Sequence, residues 1–267
     1  MGTNVLSNED DAAIIVLKDR VALQGMRLTG ALVAETLSLL RDLVVPGVTT
    51  ATLDRRAHEH IVAHGGIPSF LGYPGPTPFP GAICTSINET VVHGIPGPRA
   101  LVAGDIVSLD VGAILDGWHG DAAITVAVGA AGEEERRLIA DTEGALAVAI
   151  AVARPGNRLA DVSAAVARYG QRRGYGIVRE FTGHGIGREM HEAPSVPNVP
   201  MRGGGSGPTL RVGMTFTIEP IFTLGKAEWV EGEDGWTIVT ADGRSAAHAE
   251  HTIAITARGA EILTRIG

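Results

Sequence analysis

Five residues stand in settings that suit a two-metal hydrolytic centre: Asp110 in Ser-Leu-Asp-Val-Gly, Asp121 in His-Gly-Asp, His184 in Thr-Gly-His-Gly-Ile-Gly, Glu219 in Thr-Ile-Glu-Pro and Glu250 in Ala-Glu-His-Thr. Four carboxylates converging without cations would repel one another and carry a heavy desolvation penalty, whereas two divalent ions would balance their charge. A single strand acid is more often a solvated or turn residue. Here the flanking runs argue otherwise. Phe-Thr-Ile-Glu-Pro-Ile-Phe around Glu219 and Ile-Val-Ser-Leu-Asp-Val-Gly around Asp110 put charge at or near a buried surface, where it needs a partner.

The elements that must position these residues are legible in part. Between Ala12 and Leu40, residues Leu23, Met26, Val33, Leu37 and Leu40 recur at three- and four-residue steps, Gly30 fills the one gap, and Pro46-Gly47 stops the pattern. A second helix is predicted from Thr50 to His64, ending at Gly65-Gly66. The pattern then returns: Pro155-Gly156 follows Pro46-Gly47 by 109 residues (155 − 46 = 109), with Val162 matching Leu53 and Gly174 matching Gly65. This spacing predicts two α+β halves packed about a pseudo-twofold, with a site between them.

Each half supplies a pair of acidic strands. Segments 105–113 and 118–128 alternate apolar residues around Asp116-Gly117, a strong two-residue hairpin signal. That turn pairs Leu115 with Trp118, places Asp110 opposite Ala123, and puts Asp121 on the same face as Asp110, diagonal to it within roughly 7 Å. In the second half, 214–222 and 247–255 are predicted strands carrying Glu219 and Glu250.

The chain has 267 residues, a formal net charge of −8 and one cysteine, Cys84. The acidic balance and the absence of a Lys/Arg cluster argue against a nucleic-acid surface. The apolar run 145–153 is too short to cross a bilayer, and the first residues lack a basic-then-apolar signal pattern, so a cytoplasmic protein with no membrane contact is expected. One cysteine excludes an internal disulfide and any thiolate metal cluster. The Gly-rich stretch 202–208 is too short to separate domains, so the chain reads as one domain over 1–267 with a short N-terminal extension over 1–12.

These motifs, in this order, resemble the bacterial type I methionine aminopeptidases, a family with the pita-bread fold. The resemblance is carried by Val45-Pro46-Gly47-Val48-Thr49-Thr50, His64-Gly65-Gly66-Ile67-Pro68-Ser69-Phe70, Ser86-Ile87-Asn88-Glu89, Val92-His93-Gly94-Ile95-Pro96 and Glu250-His251-Thr252. It implies an α+β fold whose two halves surround a curved antiparallel sheet. It also implies removal of the initiator methionine from nascent chains when the next residue is small, by a monomer acting on nascent N-termini at the ribosome.

By the same resemblance Asp121 and Glu250 would bridge two divalent ions, Asp110 would chelate one, and His184 with Glu219 would complete the other. Oxygen-rich ligation with one imidazole suits Mn, Fe, Co or Zn. Glu219 would accept a proton from the attacking water. His93 and His191 would be non-ligand imidazoles that bind the substrate amide and stabilise charge on its oxygen. Tyr73, Phe79, Cys84, Met190 and Trp236 would form the pocket for a thioether side chain. His58, His60, His64 and His251 read as structural, and His119, beside the hairpin turn, is assigned the same role.

The chain departs from its relatives at two places. Valine occupies position 92, where many bacterial members carry cysteine, and Ala247-His248-Ala249 replaces the usual Gln and aromatic before Glu-His-Thr. On a strand His248 shares the face of Glu250, and it is expected to be a neutral hydrogen-bond donor rather than a sixth ligand. Two alternatives fit the same motifs: an X-Pro aminopeptidase or prolidase-like enzyme using the same five ligands, and a catalytically inactive binding homologue. The first generally carries a sizeable extra N-terminal domain, for which the early helix leaves no room. The second usually loses ligands, and all five are present.

Overall fold

The computed structural model describes residues 5–8, 11–201, 203 and 205–266. An antiparallel pair, β1 (Val5–Asn8) and β2 (Asp11–Val16), leads into helices α1 (Arg20–Leu43) and α2 (Thr50–Ala63). Short strands β3 (Ile67–Pro68), β4 (Cys84–Ile87) and β5 (Thr90–Val92) precede the long hairpin of β6 (Ile106–Leu115) and β7 (Trp118–Ala127). Helices α3 (Glu133–Val152) and α4 (Leu159–Arg173) open the second half. It continues with β8 (Gly176–Ile177), β9 (Gly183–Gly185), β10 (Glu192–Val196), β11 (Thr215–Ile218) and β12 (Ile221–Thr223). The chain closes through β13 (Trp229–Glu231), β14 (Ile238–Thr240), β15 (Ala246–His248), β16 (Glu250–Thr256) and β17 (Gly259–Ile262).

The central sheet runs β10-β9-β11-β16-β7-β6-β3, with β17 added to β16 and β4 to β6, and every pairing is antiparallel. Helix α1 packs on β6 and β7 and joins α2 in one core, whereas α3 and α4 build a second core with β11 and β16. The two halves repeat hydrogen bond for hydrogen bond. Gly47 N donates to Leu101 O at 2.8 Å, and 109 residues later Gly156 N donates to Leu210 O at 2.9 Å. The isolated bridges Thr49–Ala100 and Arg158–Thr209 keep the same offset. Gly47 and Gly156 sit at φ 93 and 90, a conformation that costs an L side chain about 1 kcal/mol or more. The pseudo-twofold read from the Pro-Gly pairs is therefore a property of the backbone.

Two expectations are corrected. The first helix starts at Arg20, not near Ala12, because the Asp19 side chain caps it by accepting from Ala22 N at 2.8 Å, and residues 11–16 pair as a strand instead. Of the expected extension 1–12, residues 1–4, 9 and 10 lie outside those described. The strands predicted over 214–222 and 247–255 each divide in two, at Glu219-Pro220 and at Ala249. Proline cannot donate to a ladder, so β11 stays in the central sheet while β12 crosses to a small sheet with β15 and β8. The breaks face each other, with Ala249 N donating to Pro220 O at 3.2 Å. Among the described residues no helix is long and apolar enough to cross a membrane.

On α1 the side chains Leu23, Met26, Val33, Leu37 and Leu40 are all buried, each worth roughly 1.5–3 kcal/mol of transfer free energy. Gly30 lies within this stripe because a Cβ there would stand 2.3 Å from the carbonyl oxygen of Leu263. Alanine favours helix by about 1 kcal/mol over glycine, but that gain is smaller than the cost of displacing backbone. Gly30→Ala is expected to lower stability by about 1–3 kcal/mol in urea unfolding. An unchanged or raised midpoint would show that the helix and the C-terminal segment are not in rigid contact.

Candidate metal centre

The Asp116-Gly117 turn fixes the first part of the site. Both residues have positive φ, 51 and 73, the requirement of a two-residue type I′ turn. Leu115 consequently pairs with Trp118 and Asp110 with Ala123. The next strand places Glu250 opposite the same Ala123, so Asp110 and Glu250 flank it on one face of three adjacent strands. Asp121, two residues before Ala123 on β7, shares that face by the period of two.

The second half brings the remaining donors from the other side. Glu219 follows the last residue of β11 at the sheet break, and it stands 109 residues after Asp110, so the duplicated halves contribute equivalent acids. His184 lies on β9, where its Nδ1 donates to the carbonyl of Gly185 at 3.0 Å, leaving Nε2 as the free acceptor. That nitrogen is 3.8 Å from Asp121 Oδ2 and 3.9 Å from Glu219 Oε1. Thr217 supports both residues, accepting from His184 N at 2.9 Å and donating to Glu219 Oε1 at 3.2 Å. Thr252 holds the backbone of Asp121 through bonds of 2.7 and 3.1 Å.

These groups open onto a cavity of about 300 Å³, and among the described residues no Lys or Arg lines it. The charge is therefore uncompensated by protein. Buried oxygens Asp110 Oδ1, Asp121 Oδ1 and Glu250 Oε1 have no hydrogen-bond partner among the described residues. Burial pushes Asp110 up to about 7 and, with the Asp110 charge, Glu219 up to about 8. Asp121 and Glu250 rise well above the carboxylate range, first from burial and then from their acidic neighbours. Donor atoms of Asp121, His184 and Glu250 lie within 4.8 Å of one another, as do those of Asp110, His248 and Glu250. Orphaned oxygens, raised acids and the imidazole nitrogens of His184 and His248 fit divalent cations.

All twelve residues anticipated for the site line this one cavity: the four acids and the imidazole above, together with His93, His191, Tyr73, Phe79, Cys84, Met190 and Trp236. His191 stands at the mouth, its ring centroid 4.2 Å from that of His184, and its Nδ1 is 2.6 Å from Tyr73 Oη. His93 sits at φ 58 and packs edge-on against Phe181 and Trp236, with centroids 5.5 and 6.2 Å away. Burial lowers His93 to about 4, so it is neutral near pH 7. The Pro-rich segment joins the pocket through Phe79, packed at 5.2 Å against Trp236, whose Nε1 donates to Thr77 O at 2.9 Å. Cys84, paired opposite Asp110, is a buried thiol whose pKa burial raises further.

Phe70, Glu180, Phe181 and Thr182 also line the cavity and were not anticipated. Phe70 ends a motif that was read for its glycines and proline. Phe181 and Thr182 precede His184 closely, but neither type carries chemistry that a sequence pattern would single out. His248 lines the cavity, whereas His119 bonds Ser69 at 3.2 Å and His251 bonds Thr264 at 3.0 Å, both outside it.

The raised acids make stability depend on pH in the metal-free protein. Each carboxyl binds its proton more tightly folded than unfolded, so its contribution is complete at low pH and is lost as pH rises through about 7 and 8. The buried histidines held at about 3 to 4 act oppositely, adding stability only up to their unfolded pKa of about 6.5. Above that point the carboxyls act alone. The metal-free thermal midpoint is expected to fall between about pH 7 and pH 9, and a saturating divalent cation is expected to remove the slope. A flat or rising metal-free profile over that range would contradict the electrostatics described above.

Residues 24–257 match metallopeptidase family M24. The chain is 46% identical over 253 residues to the methionine aminopeptidase of Clostridium perfringens, covering 95% of this chain and 100% of the relative. The crystal structure of methionine aminopeptidase from Rickettsia prowazekii superposes with a TM-score of 0.90 at 43% identity, covering 94% of this chain and 100% of that one. A prolidase from Pyrococcus horikoshii has a TM-score of 0.75 at 19% identity and is covered over only 64% of its length, a likeness of fold alone. The duplicated halves around the antiparallel sheet are thus the pita-bread fold, and the matched span contains every segment that builds the cavity. The chain belongs to the methionine aminopeptidases of metallopeptidase family M24.

Proposed function

We propose that this chain releases the N-terminal methionine of peptides whose second residue is small, acting in the cytoplasm on nascent chains as they leave the ribosome. One observation carries the reading: the cation-binding wall of Asp110, Asp121, His184, Glu219 and Glu250 shares a cavity with an apolar wall of Tyr73, Phe79, Met190 and Trp236. Aromatic and thioether surfaces suit an unbranched sulfur side chain. The cavity formed between the halves supports one catalytic domain acting as a monomer, without nucleic-acid or membrane partners.

Asp110, Asp121, His184, Glu219 and Glu250 would hold two divalent cations of the Mn, Fe, Co or Zn type, which would supply an activated water and polarise the scissile carbonyl. The protein performs the remaining steps. Glu219, whose pKa is raised by burial, takes the proton of the attacking water and returns it to the leaving amine. His93 and His191, both with lowered pKa, donate neutral N–H groups to the substrate amide and stabilise negative charge building on its oxygen. Tyr73 orients His191 through their 2.6 Å contact. Trp236 and Phe79 exclude water from the side chain of the first residue.

Release of methionine from Met-Ala-Ser is expected once the metal-free protein is reconstituted with a suitable divalent ion, with Met-Lys peptides cleaved far more slowly. Equal turnover of the two, or release of proline-adjacent residues alone, would overturn the specificity. Asp121→Asn is expected to lose nearly all activity together with metal, whereas His191→Ala keeps its metal and loses turnover by about 10²-fold. Metal analysis beside kinetics separates the two. Equal metal loss in both variants would remove the distinction between ligand and substrate-binding residue.

A further inference from the structure

His248 stands at the base of the cavity, 3% exposed, and its Nε2 is buried without a hydrogen-bond partner. By the period of the strand a hydrogen-bond donor is expected here. Among the described residues no acceptor lies within hydrogen-bonding distance of that nitrogen, which is 3.7 Å from Glu250 Oε2 and 4.0 Å from Glu219 Oε2. His184 stands at 3.8 and 3.9 Å from its own two carboxylates. Two donors that share a cation at about 2.1 Å each are separated by at most about 4.2 Å. Both imidazoles meet this limit.

We propose that His248 is a sixth metal ligand, giving the Asp110 side of the centre an imidazole nitrogen of its own. This rests on the metal centre proposed above and deepens it. The donors divide into two sets that share Glu250: Asp121 with His184, and Asp110 with His248. Each cation therefore receives one nitrogen. The backbone that carries the ring is also held in place. His248 N donates to Thr125 Oγ1 at 3.0 Å, Thr125 Oγ1 donates to His248 O at 2.7 Å, and Ser108 bonds Thr125 at 2.8 Å. A nitrogen in place of an oxygen donor favours Zn, Co, Fe or Ni over Mn and Mg at that side.

The test is X-ray absorption of the full-length protein loaded with zinc, which counts imidazoles from their outer-shell scattering, beside calorimetric titration of the metal-free protein with Zn and with Mn. With two zincs bound, the wild type is expected to show about one imidazole per zinc, falling to about half in His248→Gln and to about half in His184→Gln. His248→Gln is expected to weaken zinc at one site by about tenfold or more and to leave Mn binding nearly unchanged. The wild-type count stands even if the variant folds poorly. About half an imidazole per zinc in the wild type, unmoved by His248→Gln but lost in His184→Gln, would overturn this inference and leave the proposed centre intact. Failure to bind zinc stoichiometrically, or an imidazole count indifferent to His184→Gln, would overturn both.

Discussion

Four acids share one buried wall that, among the described residues, no Lys or Arg lines, and the architecture around the cavity follows from that imbalance. Without cations the folded protein relieves it by holding protons that free carboxyl groups would release. In the proposed function the same oxygens would become ligands of the cations. The surrounding hydroxyls do not neutralise the acids but fix them: Thr217 and Thr252 bind the backbone and side chains of the donors and leave oxygens Asp110 Oδ1, Asp121 Oδ1 and Glu250 Oε1 free. The protein is thus preorganised for positive charge.

The duplicated fold makes such a wall attainable. Asp110 and Glu219 occupy equivalent places in the two halves, so the pseudo-twofold delivers acids from both sides to one cavity. The halves then diverge where the chemistry requires it. In the first, an unbroken hairpin presents Asp110 and Asp121 from continuous strands. In the second, Pro220 ends the ladder and the chain changes sheets, which leaves Glu219 at a strand end and Glu250 at the first residue of β16. Breaks of this kind turn side chains out of a regular pleat, and they recur beside active sites.

The apolar side of the cavity is assembled differently. Tyr73 and Phe79 come from the Pro-rich segment after β3, Met190 from the loop after β9, and Trp236 from the turn between β13 and β14. The tie from Trp236 Nε1 to Thr77 O joins two of these loops directly. A rigid sheet therefore sets the acidic wall, while loops set the apolar one, and under the proposed function that division would let specificity vary without disturbing the charged wall.

The sequence alone determined whatever depends on local rules. The Asp-Gly turn fixed the register of β6 and β7, and hence the shared face of Asp110 and Asp121, because only one two-residue turn geometry suits those residues. Repeated Pro-Gly punctuation revealed the halves, since glycine alone tolerates the backbone it adopts there. The family resemblance that the motifs carry implied twelve of the residues that line the cavity. Tertiary structure decided the rest. The start of α1 depended on a strand pairing of residues 11–16 that competes with helical periodicity, and the sheet change at Pro220 depended on which partner β12 could reach. Phe181 became part of the cavity only because it packs on His93. The role of His248 turned on whether an acceptor stood within reach of Nε2, a question of distances between strands that no pattern along one strand contains.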